Sequence, residues 1–172
     1  ARNFETVYGL RTVGLRYFNV FGPRQDPNGA YAAVIPRWVA ALAKGERCEI
    51  FGDGRTSRDF CYVANAVQAN LLAAIAEGPE VTDCAYNVAV GGRTSLKEVY
   101  GMIREQVARR VPAVAGLEPV FRDFRAGDIR DSQADLARAR TRLGYEPTHT
   151  VEQGMGPTVE FFLAAAGRPQ PG

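Results

Sequence analysis

One stretch decides the fold that we predict for this chain: residues 15–25, which read LRYFNVFGPRQ. Residues 11–20 are rich in β-branched and aromatic side chains, and we expect them to form a fully buried strand that ends at a Gly-Pro turn. In open α/β sheets, ligands bind outside the carboxyl ends of the strands. Asn19, Arg24 and Gln25 stand at or just beyond the end of this strand, so the sequence predicts that a ligand site begins here.

The composition is that of a soluble globular domain. Hydrophobic residues make up 46% and charged residues 23% of the 172 residues, close to the average for such domains. The net charge of +2 is too small to predict a surface for nucleic acid or for a membrane. The sequence contains no apolar run of about 18 residues and no charged-then-apolar leader, so we expect a cytoplasmic protein. Cys48, Cys61 and Cys84 have no CxxC spacing, which argues against a disulfide framework and against a metal site.

Strand and helix patterns alternate along the chain, which predicts an α/β fold. Ser95 and Glu98 form an S-x-x-E capping box before one helix. Gly154 and Gly156 would each cost a helix about 1 kcal/mol, so we expect a break there. The predicted strands lie at 49–51, 58–63, 85–90 and 119–124, and the predicted helices at 35–43, 64–77, 95–110, 135–143 and 158–166.

Three clusters place an arginine near a turn, beside an acid or an amide that could hold it. Bidentate guanidinium contacts are the strongest side-chain answer to a diphosphate, so the clusters suggest a phosphate ligand. For Arg58 with Asp59, an ordinary surface ion pair is an equally good interpretation. The sequence contains no complete glycine-rich phosphate loop, and His149, the only histidine, has no obvious acidic or thiol partner. The clusters are Asn19 with Arg24 and Gln25, Arg58 with Asp59, and residues 125–130.

Several motifs occur in an order and spacing that make chance implausible. They are RYFNVFGP at 16–23, IFGDG at 50–54, SRDF at 57–60, YNV at 86–88, RAGD at 125–128 and AD at 134–135. Together they resemble the extended short-chain dehydrogenase/reductase family and, within it, the nucleotide-sugar 4-epimerases. Residues 24–36 are similar to bacterial UDP-N-acetylglucosamine 4-epimerases in particular.

The resemblance runs from about Tyr8 to Phe162 and implies the C-terminal part of a Rossmann-type, NAD-dependent epimerase fold. This part would hold the last strands of the sheet plus a small substrate-binding α/β domain. The implied segments are 1–24 for the end of the Rossmann domain, 25–61 and 93–166 for the substrate-binding domain, 62–92 for a helix and strand returning to the Rossmann domain, and 167–172 for a frayed tail.

The resemblance also implies a role for individual residues. Phe18 and Val20 would lie beside the nicotinamide of NAD. The UDP-sugar would be bound by Asn19 near the phosphates, Gln25, main-chain groups of Glu49 and Phe51 on the uracil ring, Arg58, Arg125 and Asp128 at the diphosphate and ribose, and Ala33 and Ser132 in the sugar pocket.

The glycine-rich NAD turn and the catalytic Tyr-x-x-x-Lys pair of these enzymes have no counterpart in this sequence. The resemblance therefore implies that NAD is bound mainly by a segment upstream of Ala1. It also implies that this chain holds no catalytic residue and no metal, and that it is inactive alone. The full-length protein would be a homodimer with no nucleic-acid or membrane partner.

The implied function is the UDP-sugar-binding part of a 4-epimerase that oxidises C4 of the sugar transiently with NAD. Its substrates would be UDP-N-acetylglucosamine and UDP-N-acetylgalactosamine, with UDP-glucose and UDP-galactose as further candidates. Relatives restricted to the last two tend to carry a tyrosine where this chain has Ser132, and a serine leaves room for an N-acetyl group. The alternatives are a UDP-glucuronate 4-epimerase or decarboxylase of the same family, and a non-catalytic nucleotide- or RNA-binding module.

Overall fold

Short strands and helices alternate along the chain in a computed structural model that describes residues 6–26, 34–78, 80–82 and 84–166. The helices are α1 (Val34–Ala43), α2 (Val63–Ile75), α3 (Leu96–Ala108), α4 (Ala137–Leu143) and α5 (Val151–Ala166). The strands are β1 (Gly14–Tyr17), β2 (Val20–Phe21), β3 (Glu49–Phe51), β4 (Ser57–Arg58), β5 (Cys61–Tyr62), β6 (Ala85–Val88), β7 (Thr94–Ser95) and β8 (Val120–Arg122).

Among the described residues, the strands pair two by two. Strand β1 lies parallel to β6, β2 parallel to β5, and β3 parallel to β8, whereas β4 and β7 are antiparallel. The α/β class predicted from the alternating patterns is therefore confirmed.

Two hydrophobic cores hold these pairs together. The first lies among α1, α3 and α5 and is built around Trp38, Leu42 and Ile103. The second packs α2 and α4 against β1 and β6, around Tyr86 and Tyr145. Both cores draw residues from distant parts of the sequence. The boundaries predicted for the Rossmann and substrate-binding segments stay a prediction.

The expectation of one fully buried strand over 11–20 is wrong. The chain forms β1 and β2 with a bend at Asn19, whose φ of 36° lies in the left-handed region that asparagine tolerates better than most residues. This bend turns the chain from β6 towards β5. Among the described residues, β1 pairs only with β6, which leaves Tyr17 51% exposed.

Most other predicted elements are confirmed to within a few residues, and so is the start of α3. Ser95 Oγ accepts from the Glu98 amide at 3.2 Å, and the Ser95 amide donates to the Glu98 carboxylate at 2.7 Å. The hydroxyl group of Ser95 and, to a smaller extent, its amide donate to the carboxylate of Glu98. These hydrogen bonds favour the ionised form and lower the pKa of Glu98. The capping box therefore works as the sequence pattern predicts.

The predicted break at Gly154 and Gly156 is wrong, because α5 runs through both residues from Val151 to Ala166. The helix begins with a second reciprocal cap, in which the Thr150 amide donates to Gln153 Oε1 at 2.8 Å and the Gln153 amide to Thr150 Oγ1 at 3.3 Å. At Gly154 the helix approaches Tyr62 so closely that an added Cβ would lie 2.4 Å from ring atom Cδ2. This glycine serves close packing rather than helix termination.

We predict opposite effects for the two glycines of α5. Gly154→Ala should lower the free energy of unfolding by about 1–3 kcal/mol, because the new methyl group overlaps the Tyr62 ring. Gly156→Ala is the matched control, since an added Cβ there meets nothing within 4 Å. It should raise stability by about 0.5–1 kcal/mol through helix propensity. Urea unfolding of both variants measures the difference, and equal effects would contradict the packing account.

Candidate functional site

A cavity of about 360 Å³ lies between α1 and β3, within the size range of small-molecule pockets. One face of α1 lines the cavity with residues from successive helical turns: Val34, the pair Arg37 and Trp38, and Ala41. The opposite wall is Cys48 and the strand β3, and Arg125 and Asp128 close the cavity from the loop before α4. Four of the residues predicted to bind a UDP-sugar therefore line one cavity: Glu49, Phe51, Arg125 and Asp128.

The guanidinium of Arg125 lies over the ring of Phe51, with its central carbon 3.7 Å from the ring centroid. This cation–π contact orients the guanidinium without using its N–H donors. Among the described residues, no hydrogen bond or ion pair engages those donors. Arg125 can therefore offer them to an anion inside the cavity.

Strand β3 presents main-chain groups to the same cavity. The Val120 amide donates to the Cys48 carbonyl and the Gly52 amide to the Arg122 carbonyl, both at 2.8 Å. This register directs Cys48, Ile50 and Gly52 towards β8, so Glu49 and Phe51 turn their N–H and C=O groups to the other edge. No second strand pairs with that edge within the described ranges.

The side chains of Glu49 and Phe51 are each held by an arginine, Glu49 by Arg122 and Phe51 by Arg125. Both Nε and Nη2 of Arg122 donate to Glu49 Oε1, at 3.0 and 2.7 Å. The indole N–H of Trp38 donates to the Glu49 carbonyl at 3.3 Å. In the described part of the chain, no hydrogen bond engages the remaining main-chain donors and acceptors of this edge, which could recognise a planar ligand with alternating polar groups.

Arg58 occupies a second position, on β4. Its Nη1 donates to the carbonyl of Ser57 at 2.8 Å and to the carbonyl of Arg130 at 3.3 Å. The amide of Ser132 donates to the same Ser57 carbonyl at 3.1 Å. Arg58 and Ser132, both predicted to bind substrate, are thus adjacent.

Asp59 overturns the interpretation of Arg58 with Asp59 as a surface ion pair. Asp59 is only 1% exposed, and its carboxylate accepts three main-chain hydrogen bonds. The donors are the amides of Val90 and Gly91, each at 3.0 Å, and of Ala134 at 3.1 Å. Among the described residues, Arg58 makes no ion pair with Asp59, and its Nη1 donates instead to the carbonyls of Ser57 and Arg130.

Asn19 joins this region through the main chain of Asp59. Its Nδ2 donates to the Asp59 carbonyl at 3.2 Å. Gln25 folds back on the same bend and donates to the Val20 carbonyl at 3.0 Å, while its buried Oε1 has no partner among the described residues. Phe18 and Val20 pack at the margin of the second core.

Two predicted positions do not join these groups. Ala33 lies outside the described residues. Arg24 is exposed and adopts a left-handed φ of 68°, and no hydrogen bond to it is seen in the described part of the chain.

Sequence reasoning missed several residues of the site. Arg37, Trp38 and Arg47 line the cavity, and none of the three was predicted to bind a ligand. For Arg37 and Trp38, the available signal was their helical spacing relative to Val34 and Ala41, whereas Arg47 follows the helix and carried no such signal. The sequence pattern also does not predict a role for Asp131. Hydrogen bonds from Ser57 and Arg93 lower the pKa of this residue.

The two buried cysteine thiols are unsuited to nucleophilic chemistry. Burial raises the pKa of both Cys48 and Cys61 to about 11, so neither is a nucleophile at neutral pH. Within the described residues, no three His, Cys, Asp or Glu side chains are grouped so as to hold a metal ion. None of the described helices is both long and apolar enough to cross a bilayer.

We predict that Asp59→Asn lowers the free energy of unfolding by about 2 kcal/mol or more. The change places an NH₂ group against amides that need a buried acceptor. Asp123→Asn removes the same charge at an exposed position and should change stability by no more than about 0.5 kcal/mol. Thermal and urea unfolding report both values, and similar losses for the two variants would argue against the structural role of Asp59.

Residues 1–89 match the NAD dependent epimerase/dehydratase family. The chain is 37% identical over 159 residues to the UDP-glucose 4-epimerase of Mycolicibacterium smegmatis, a match that covers 92% of this chain and 48% of that protein. The chain thus spans about half the length of the curated relatives that it matches.

Two solved structures have the same fold over nearly the whole chain. One is the UDP-glucose 4-epimerase of Thermotoga maritima with UDP-glucose, with a TM-score of 0.84 and 36% identity over 96% of this chain and 50% of that one. The other is the UDP-N-acetylglucosamine 4-epimerase of Methanobrevibacter ruminantium in complex with UDP-N-acetylmuramic acid, with a TM-score of 0.83 and 36% identity over 95% of this chain and 50% of that one. The predicted fold, the C-terminal half of a Rossmann-type epimerase, is confirmed.

Proposed function

This chain belongs to the NAD dependent epimerase/dehydratase family, and we propose that it is the UDP-sugar-binding part of a nucleotide-sugar 4-epimerase. The observation that carries the proposal is the cavity in which Arg125, Asp128 and the open edge of β3 meet. A uracil ring presents alternating acceptors and a donor, which suit main-chain groups of a strand edge. The guanidinium of Arg125 suits the negative charge that follows it in UDP.

Within this proposal, each part of the site has a separate task. Glu49 and Phe51 hold the base through main-chain groups, Asp128 accepts from the ribose, and Arg125 and Arg58 hold the diphosphate. Ser132 lies beside Arg58, which supports a sugar pocket next to the diphosphate.

The binding energy of such a site comes from the nucleotide, which does not react. A 4-epimerase must let its keto-sugar turn over between two faces, so it cannot hold the sugar tightly. Affinity placed at the remote UDP group keeps the intermediate bound while the sugar moves. The two arginines therefore contribute to turnover without contacting C4.

The residues present fit a place for NAD at the margin of the site. Phe18 and Val20 follow β1 at the carboxyl end of a parallel pair, where they offer apolar side chains to a flat ring. When bound, NAD supplies reversible hydride transfer at C4 of the sugar. The contribution of this chain is the apolar wall, and the full-length protein would supply the catalytic groups. A cytoplasmic location and a homodimeric state remain predictions.

We predict that the chain binds UDP and that binding changes the fluorescence of Trp38, the only tryptophan, which lines the cavity. Arg125→Ala should weaken UDP binding about 10- to 100-fold, since a charge-assisted hydrogen bond is worth about 1.5–3 kcal/mol. Arg110→Ala, an exposed arginine outside the cavity, is the matched control and should leave the affinity unchanged. Salt-sensitive binding of RNA that UDP does not displace would instead favour the nucleic-acid module.

Ser132 sets the predicted choice of sugar. In the full-length protein, Ser132→Tyr should lower kcat/KM for UDP-N-acetylglucosamine at least about tenfold while sparing UDP-glucose, because the ring fills the space of the N-acetyl group. Ser132→Ala adds no bulk and should leave the ratio of the two kcat/KM values unchanged. Product analysis with a panel of UDP-sugars measures that ratio, and exclusive action on UDP-glucuronate would reject the proposed substrates.

A further inference from the structure

The hydroxyl group of Ser57 joins three separate segments of the chain. Ser57 Oγ donates to Asp131 Oδ1 at 2.6 Å and accepts from Arg93 Nε at 3.1 Å. Arg93 Nη2 and Asp131 Oδ1 also form a salt bridge. Ser57 lies on β4, Arg93 directly precedes β7, and Asp131 lies in the loop before α4. We refer to Ser57, Arg93 and Asp131 together as the clamp.

The clamp fastens the segment 130–132 along β4. The Ser57 amide donates to the Arg130 carbonyl at 2.9 Å, and the Ser132 amide donates back to the Ser57 carbonyl at 3.1 Å. These two carbonyls are the same groups that accept from Nη1 of Arg58. The position of the clamp therefore fixes the position of the Arg58 guanidinium.

The geometry of the guanidinium makes this anchoring directional. Arginine carries five N–H donors in one plane, and the two on Nη1 of Arg58 are engaged by Ser57 and Arg130. Among the described residues, Nε and Nη2 of Arg58 have no hydrogen-bond partner. They form the side of the fork that fits two oxygens of a phosphate group.

The exposure of the clamp indicates that its role is more than stability. The side chains of Arg93 and Asp131 are 48% and 45% exposed, and ion pairs at that exposure contribute little to folding. Ser57, by contrast, is buried, so the pair is held by one fixed hydroxyl group. The pair of Arg93 and Asp131 therefore adds little to the free energy of unfolding, but it orients Ser57 and the segment 130–132.

We propose that Ser57, Arg93 and Asp131 are positioning residues that aim Arg58 at the diphosphate of the nucleotide-sugar. They raise the affinity for the diphosphate without touching it, because Arg58 loses less freedom when it binds. This inference rests on the proposed function.

A double-mutant cycle between Asp131 and Arg58 tests the clamp in the 172-residue chain. Affinities for UDP and for uridine, which has no phosphate, are measured through Trp38 fluorescence. Asp131→Ala should weaken UDP binding about five- to tenfold in the wild-type background and less than about twofold in the Arg58→Ala background, since the two residues act as one unit. Uridine affinity should stay unchanged. Ser57→Ala should behave like Asp131→Ala, and Asp123→Ala is the matched control.

Equal weakening of UDP binding in both backgrounds, equal weakening for uridine, or no effect of Asp131→Ala would overturn the clamp. In each of these cases wild-type UDP binding persists, so the proposed function stands. Failure of the wild-type chain to bind both UDP and uridine would reject the proposed function and the clamp together. If Asp131→Ala unfolds at the assay temperature, Asp131→Asn replaces it, because it removes the charge but keeps the shape.

Discussion

The site depends on one buried carboxylate, that of Asp59. It gathers the amides of Val90, Gly91 and Ala134, which come from two distant stretches of the chain, around a single residue. The carbonyl of Asp59 adds the side chain of Asn19 to the same point. An unpaired carboxylate or unpaired amides would be costly at this depth, so the four segments are held together as a set.

This gathering point explains why the polar groups of the site lie where they do. Arg58 directly precedes Asp59, and its neighbour Ser57 aligns the segment that carries Ser132. The cavity beside β3 is built separately, by packing of α1 and α3 in the first core. A buried electrostatic network therefore organises one part of the candidate site, and hydrophobic packing organises the other.

The sequence predicted those features whose causes are local. The cap of α3 needs only Ser95 and Glu98, three residues apart, and the alternation of strands and helices needs only hydrophobic periodicity. The family resemblance predicts that Arg125 and Phe51 belong to one site. These two residues do lie in contact, with the guanidinium stacked on the ring.

The features that the sequence did not predict have causes that are distant along the chain. Gly154 resembles a helix breaker because the close approach of Tyr62, 92 residues earlier in the numbering, cannot be seen in the sequence. The partners of Asp59 lie at 90, 91 and 134, so nothing near Asp59 marks it as buried.

Strand β3 has a further implication for how such sites diverge. A ligand held by peptide groups at a strand edge imposes a demand on backbone shape and almost none on the identity of the residues that supply those groups. In the proposed site, Glu49 could therefore be exchanged during evolution without loss of its main-chain contact, whereas Phe51 is also constrained by its ring contact with Arg125. A survey of invariant side chains would overlook this part of the pocket and credit recognition to the arginines alone.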